Sequence, residues 1–345
     1  MIGIGVIACG KIAQVRHLPE YADNPHVQIR GLFDLQPDRA EALAEQYGAK
    51  AYASAQELLA SPEIDAVSIC SSNDTHAELA LAALRAGKHV LLEKPMAMNE
   101  ADCRMLVDTA KETGKILMID QNQRLAGAHV KARELIQSGA IGRPITFTTS
   151  FRHGGPETWS IDPGAGTWFF DKKKAVMGAM ADLGIHKTDL IQFLLGQTVK
   201  EVSAKLCTLD KRYADGSLIG VDDNAICIYT MDGGTVGTMT VSWTDYGPED
   251  NSTVIFGTEG VLRIYDDPKH TLVLQHKDGT SEAFDVDKIQ TNDDQTKSGV
   301  IDLFVRCLMN PEEKGIPAES VLPAMCAVFG AVASAETGKS VRVND

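Results

Sequence analysis

The chain has seven cysteines, an odd number at wide spacings, and no C-x-x-C. That excludes a zinc ribbon and a disulfide scaffold, and cysteines inside apolar runs, such as Cys70 and Cys227, read as small buried hydrophobes. The nine histidines form no H-x-x-x-H or H-E-x-x-H pair, so no metal site is expected. Positive charge is scarce: 33 Lys+Arg face 47 Asp+Glu, a net charge of −14. Such a balance repels phosphate backbones and anionic lipid, so neither nucleic acid nor a membrane surface is expected as a partner. No apolar run approaches the roughly 18–20 residues of a membrane span. The opening Met1–Ile7 lacks a basic n-region. A soluble, cytoplasmic protein is predicted. Internal repeats and low-complexity tracts are absent as well.

What is present is length and apolar content. At 345 residues and 44% hydrophobic, the chain can fill sizeable cores, and two domains are expected rather than one. Up to about residue 120, short apolar runs (Ile2–Ile7, Val27–Phe33, Ala66–Cys70, Val90–Leu92, Ile116–Ile119) alternate with helical stretches. Those stretches are Lys11–Ala22, Pro37–Tyr47, Thr75–Ala86 and Glu100–Glu112. Fully apolar strands between helices predict a doubly wound parallel sheet covered on both faces, an α/β domain over residues 1–122.

The rhythm then changes. A strand over Ile145–Arg152 and a Gly-, Pro- and Trp-rich loop precede a helix over about Met177–Leu195. Strand-like runs with Asp-Gly and Gly-Gly turns follow to Phe284, and two helices, about Gly299–Leu308 and Ser320–Glu336, close the chain. Residues 123–345 are thus expected to form an α+β domain on a largely antiparallel open sheet. Asp245–Asn251 and Asp287–Lys297 read as polar surface loops, and Lys172-Lys173-Lys174 as a solvated charge run.

Two overlapping registers compete for a phosphate loop. Gly3-Ile4-Gly5-Val6-Ile7-Ala8 matches G-x-G-x-x-A literally, yet its glycines fall within the first strand. Ala8-Cys9-Gly10-Lys11-Ile12-Ala13 lacks the first glycine but lies after the strand and opens the helix, where backbone N–H groups and the helix dipole can face a pyrophosphate. Asp34, ending the second strand, stands at the better spacing from Ala8 for an acid that accepts bonds from ribose hydroxyls. The second register is therefore preferred. A carboxylate there repels a 2′-phosphate, which favours NAD and leaves NADP as the alternative, with Arg39 softening the preference.

Oxidising a secondary alcohol needs a base for its proton and a positive group for the developing alkoxide. Asp182 and His186 are spaced i, i+4 on the expected helix and share one face, with Asp189 extending the stripe. Such a pair alone is ordinarily a solvated helix face. A histidine with an ordinary pKa near 6.5 suits proton transfer at neutral pH. His186 is read as general acid/base, and Asp182 as its partner or an acceptor of substrate hydroxyls. Lys94 follows a strand's carboxyl end, where open α/β sheets bind ligands, and can polarise a substrate oxygen.

Glu93-Lys94-Pro95, together with Cys9-Gly10-Lys11-Ile12-Ala13, Ile64-Asp65-Ala66-Val67, Asn73-x-x-His76 and Ala86-Gly87-Lys88-His89-Val90, resembles the Gfo/Idh/MocA oxidoreductase family. Asn122-Gln123-Arg124, Gly139-Ala140-Ile141-Gly142 and Asp182-Leu183-Gly184-Ile185-His186-x-x-Asp189 extend the resemblance over nearly the whole chain. It implies an N-terminal Rossmann domain, a C-terminal substrate-binding and oligomerisation domain, and NAD(P)-dependent redox chemistry on sugars, inositols or related polyols. It further implies a catalytic set of Lys94, Asp182 and His186. A cofactor-binding set follows: Ala8, Gly10, Lys11, Ile12, Asp34, Ser71, Asn73, His76, Glu93, Lys94 and Gln121. A cis bond before Pro95 and a homodimer or homotetramer are also implied. Arg124, His153, Trp159, Trp168 and Asp182 are candidates to line the substrate pocket, His153 and Trp168 being equally readable as loop packing. Three departures bear on the substrate: Ser72 for the usual Pro, Gln121 for a frequent aromatic, and Ala175-Val176-Met177-Gly178 where a glycine cluster is usual. Two rival functions stay open, a glycosidase that oxidises its sugar transiently with bound NAD, and a non-catalytic nucleotide sensor.

Overall fold

The computed structural model describes residues 1–286 and 297–343, in two compact units. The first comprises Met1–Asn122 and a returning segment that ends at Leu322. Its strands are β1 (Ile2–Ile7), β2 (Val27–Phe33), β3 (Lys50–Ala51), β4 (Ala66–Ile69), β5 (His89–Leu92) and β6 (Leu117–Ile119). They pair in the order β3-β2-β1-β4-β5-β6, all parallel. β4 is buried along its length and β1 from Gly3 onward, as helices on both faces require. The strand order reverses between β1 and β4, the place where doubly wound sheets open a ligand crevice at their carboxyl edge.

Local chemistry sets the intervening helices. The helix after β1 is π-helical over Ala13–His17 and continues over Leu18–Asp23, with Pro19 in its first turn. Pro37–Tyr47 ends on Gly48 in the left-handed region, and Glu100–Thr113 starts on an Asn99 side chain that accepts from Asp102 N and ends on left-handed Gly114. The short helix Ala55–Ala60, capped by Ser54, and the two-residue β3 were not expected from the sequence, being too short to show a period.

The segment before Leu322 belongs to this first unit, which departs from a split at residue 122 alone. Ser298 N donates to Glu20 Oε1 (2.7 Å), Asn24 Nδ2 donates to Asp302 Oδ1 (2.8 Å), and Ile119 N donates to the Ile316 carbonyl (3.0 Å). The helix Val300–Met309 buries Val300, Ile301, Leu303 and Phe304, an apolar stripe that needs a partner surface.

The second unit holds β7 (Pro144–Arg152), β8 (Val199–Cys207), β9 (Asn224–Met231), β10 (Val236–Ser242), β11 (Thr253–Gly257), β12 (Gly260–Ile264), β13 (Leu272–His276), β14 (Ser281–Phe284) and β15 (Val341–Arg342). The order is β14-β13-β12-β11-β7-β10-β9-β8-β15, antiparallel at every pair except β7 with β10. Period-two alternation splits the central strands into two faces. Phe147, Cys227, Tyr229, Met239 and Val241 are buried, whereas Ile226 and Ile228 point away and are about half exposed (54% and 51%). The helix Ile185–Leu195 lies on the buried face, where Thr188 Oγ1 and Tyr229 OH are 2.8 Å apart. β12, β14, β15 and the helix Gly127–Gln137 escaped the sequence reading.

One expectation needs correcting. The helix Ala318–Thr337 has the length and apolar composition to cross a membrane, although 56% of its apolar window is packed inside the protein, as in a core helix. All seven cysteines are free, and all but Cys207 are buried. Lys172–Lys174 are exposed on a single helical turn capped by Asp171. Asp245–Asn251 lies in loop as read, but residues 287–296 of the other polar stretch lie outside the described residues.

The competing glycine registers can be told apart by substitution. A Cβ on Gly3 would stand 1.9 Å from the Glu63 carbonyl oxygen, whereas one on Gly10 would meet nothing within 4 Å. Gly3→Ala should lower stability by about 1–3 kcal/mol in urea denaturation, and Gly10→Ala should stay within about 0.5 kcal/mol of the parent.

Candidate functional site

The carboxyl edge of the first sheet gathers most of the expected cofactor residues. Ala8 follows β1 in the left-handed region, φ 69°, and its N–H donates to the Phe33 carbonyl (2.8 Å). That conformation costs a non-glycine residue about 1–2 kcal/mol, so the loop accepts strain in place of the missing glycine. Asp34, at the end of β2, is buried. Its Oδ2 accepts from Cys9 N (2.7 Å) and its Oδ1 from Gln36 N (2.8 Å), while the Arg39 guanidinium stands 3.6 Å from Oδ1. Each oxygen retains one acceptor site for a ribose hydroxyl. Open space at Gly10, the half-buried Lys11 and Ile12 at the helix start, and this carboxylate together fit a dinucleotide.

Ser71 and Asn73 follow β4, Glu93 and Lys94 follow β5, and Gln121 closely follows β6. The Lys94–Pro95 bond is cis. His76 is fully buried, with Nδ1 2.7 Å from the Pro95 carbonyl and Nε2 3.1 Å from that of Ser71. Burial lowers its pKa, and the one N–H of the neutral ring can donate to only one of these two carbonyls.

Beneath Lys94 lies a set that the sequence did not reveal. His17 Nε2 is 3.0 Å from Glu93 Oε1 and 3.6 Å from Asp120 Oδ2, and Arg16 Nη1 is 3.8 Å from Asp120 Oδ2. His17 Nδ1 is 3.1 Å from Ser68 Oγ, itself 2.7 Å from Tyr21 OH. Burial pushes the Glu93 carboxyl up, but the His17 bond and charge, with Arg16 and Lys94, outweigh it and hold Glu93 below its usual range. Burial works against charging His17, yet Cys70 and Glu93 outweigh that and raise it. Burial and the Glu93 charge push Asp120 up to about 7, against Arg16 and His17. One side-chain N or O atom from each of His17, Glu93 and Asp120 lies within 4.8 Å of the others, close enough to approach a cation, but Arg16 supplies positive charge there.

In the second unit, Asp182 lies in a π-helical stretch, Met180–Gly184, that runs into the helix bearing His186. Asp222 holds its start: Gly178 N and Met180 N each donate to the Asp222 carboxylate at 2.8 Å. Burial raises that carboxyl to about 6 in spite of those bonds. A Cβ on Gly178 would sit 1.9 Å from the Asp222 carbonyl oxygen, which is why this one glycine of the cluster is indispensable. Asp182 Oδ2 accepts from Trp243 Nε1 (3.1 Å) and stands 4.0 Å from His153 Nε2. His153 Nδ1 accepts from Gly155 N (3.0 Å), so the proton of the neutral ring belongs on the nitrogen facing Asp182.

Aromatic rings surround this pair. Trp159 meets His153 edge to face (6.3 Å) and Phe169 likewise (5.1 Å), Trp168 stacks on Phe169 (3.9 Å), and Phe169 meets Trp243 (6.4 Å). His186 is buried, 6.4 Å from the Phe151 ring. The structure thus joins His153, Trp159, Trp168 and Asp182 in one group. Arg124 is spent differently: its Nε and Nη2 bind the two oxygens of buried Asp189 (2.7 and 2.5 Å), so Asp189 pairs with Arg124. Trp243 and Phe169 were missed because only the fold brings them to the Asp182 group, and Asp222 because only the fold brings it to Gly178 and Met180.

Residues 2–121 match the family described as Gfo/Idh/MocA oxidoreductases with an NAD-binding Rossmann fold, and residues 129–263 match its C-terminal domain. The 1,5-anhydro-D-fructose reductase of Ensifer adhaerens is 30% identical over 260 residues, 74% of each chain. The chain belongs to the Gfo/Idh/MocA oxidoreductase family. The myo-inositol 2-dehydrogenase of Thermotoga maritima is 28% identical over 285 residues, 80% of this chain and 79% of its own. A levoglucosan dehydrogenase solved with NADH and levoglucosan superposes with TM-score 0.87 over 100% of both chains, and at 22% identity it shows the shared fold alone. This family member is an NAD-binding oxidoreductase of the sugar and polyol class.

Where the family's glycines are replaced, the backbone is strained. Val176 has φ 67° and ψ −56°, and Met177 N donates to the Ala175 carbonyl (2.8 Å), a γ-turn with a β-branched residue at its centre. Val176→Gly should relieve about 1–3 kcal/mol of strain, less about 0.5–1 kcal/mol for glycine's freedom when unfolded, and raise the thermal midpoint. An unchanged or lower midpoint would show that the valine is not strained.

Proposed function

We propose that this chain is an NAD-dependent dehydrogenase that oxidises a secondary hydroxyl of a cyclic polyol or a sugar, or runs the reverse reduction. The observation that carries this reading is the aromatic group closed around Asp182. Ring faces of Trp159, Trp168 and Phe169 suit the C–H face of a sugar ring, while a carboxylate and an imidazole at the same place suit its hydroxyls. NAD when bound supplies the hydride acceptor at its nicotinamide. His186 takes the hydroxyl proton, or returns it in reduction. Asp182 holds a substrate hydroxyl in the orientation that Trp243 and His153 impose on its carboxylate. The Lys94 ammonium stabilises charge that develops on the substrate oxygen, and Asp34 accepts from ribose hydroxyls.

With NAD and a panel of inositols and aldoses, some member of the panel should give rising NADH absorbance. Lys94→Ala and His186→Ala should each lower kcat by about 10²–10⁴-fold while the protein still binds NAD. Full turnover by either variant contradicts its assigned role. Release of a free sugar from a glycoside without net NADH would replace the reading with a glycosidase that oxidises transiently.

A homodimer or homotetramer is part of the same proposal. Ile226 and Ile228, opposite Thr240 and Thr238, make an exposed apolar strip on the open face of the second sheet. Ile228→Asp should shift the mass measured by light scattering to a smaller species; an unchanged mass would remove this face from the assembly.

A further inference from the structure

The His17–Glu93–Asp120 set has no part in the chemistry above, and its placement is informative. Asp34 draws the adenosine ribose to β2 and the Gly10 loop draws the pyrophosphate to β1. The nicotinamide half of the dinucleotide must then extend past the strand-order reversal toward β4, β5 and β6. Glu93 and Asp120 are the residues directly after β5 and β6. We propose that Asp120, acting through His17 and Glu93, sets the charge beneath the nicotinamide subsite and thereby makes the preference between oxidised and reduced dinucleotide depend on protonation. This rests on NAD binding, not on the roles of Lys94 and His186.

The argument is one of charge balance in a closed space. Asp120 is 1% exposed, and neither of its oxygens has a hydrogen-bond partner among the described residues. Facing it are Arg16, His17, Glu20 and Tyr21 from the first helical stretch, Cys70 just after β4, and Glu93 just after β5; Ser68 of β4 bonds His17 and Tyr21, and Lys94 acts on Glu93. With Asp120 ionised, Arg16 and His17 are matched by Glu93 and Asp120. With Asp120 protonated, the same four carry one net positive charge. An oxidised nicotinamide is a cation and a reduced one is neutral, so the ionised form favours NAD⁺ selectively. Binding and protonation are reciprocal: NAD⁺ drives the proton off Asp120, and NADH lets it return from solvent.

The sign follows from the raised Asp120 carboxyl, about 7. As pH rises from about 6 to about 8, the affinity for NAD⁺ relative to NADH should increase by roughly threefold or more, within the tenfold-per-unit ceiling for one proton. Calorimetric titration of each dinucleotide in the wild-type protein reads this ratio. Performed in buffers of different ionisation enthalpy, the same titration should count more protons taken up with NADH than with NAD⁺. Asp120→Asn, nearly isosteric, should flatten the ratio and equalise the proton counts. A wild-type ratio independent of pH, equal proton counts, or an Asp120→Asn protein that keeps the pH dependence would each overturn the proposal. The first two need no variant, so a misfolded Asp120→Asn protein does not shield it. Failure to bind either dinucleotide would instead overturn the NAD reading.

Discussion

The double pairing of β1 is the constraint on which the first unit depends. This strand is hydrogen-bonded to β2 on one side and β4 on the other, and is buried from Gly3 onward. Its glycines serve that position, since side chains at Gly3 and Gly5 would strike Glu63 and Leu58. Because β2 and β4 leave β1 in opposite lateral directions, their following loops part at the carboxyl edge and leave backbone N–H groups facing outward. Asp34, the Gly10 loop, the Ser71–Asn73 turn and Glu93-Lys94 reach one edge for this reason alone. Their chemistry would be unremarkable on separate surfaces.

The second unit solves a different problem. A mixed sheet with one covered face needs a helix held firmly against it, and this chain does so with buried polar groups as well as apolar ones. Lys187, fully buried, donates to the Asn251 carbonyl at 2.9 Å, and burial lowers its pKa to about 7. Asp222 caps the start of the same helical stretch, and Arg124 pairs with Asp189 farther along it. Such groups are costly to desolvate and tolerable only when their partners are well placed. They fix the helix axially and rotationally, which apolar packing does less sharply, and so determine where Asp182 and His186 stand. The strained Val176 turn immediately precedes this anchored stretch, consistent with strain being held by surroundings that over-determine the backbone.

Periodicity and short-range spacing carried far. Apolar runs of five or six residues between amphipathic helices prescribe a parallel sheet, since a strand covered on both faces has no other low-energy arrangement. The placing of Asp34 at the end of β2 was legible because it lies one β-α-β step from the turn after β1, a distance along the chain. That Asp182 and His186 share one helical stretch was legible from the apolar period around them. Short elements such as β3 and the Ala55–Ala60 helix escaped, because a few residues cannot display a period. The return of Val300–Met309 to the first unit escaped because an amphipathic helix declares that it has a partner without declaring which.

By itself, then, the order of residues determined the fold class, the dinucleotide and the placing of Asp182 and His186 on one helical stretch, all consequences of interactions within about thirty residues of chain. Tertiary structure alone decided what each charged group does. It set Asp222 against Gly178 across 44 positions, Trp243 against Asp182 across 61, and Glu93 against His17 across 76. The physical reason is that a side chain's ionisation and hydrogen bonding depend on local burial and on neighbours within a few ångströms. Neither quantity exists until the chain has folded.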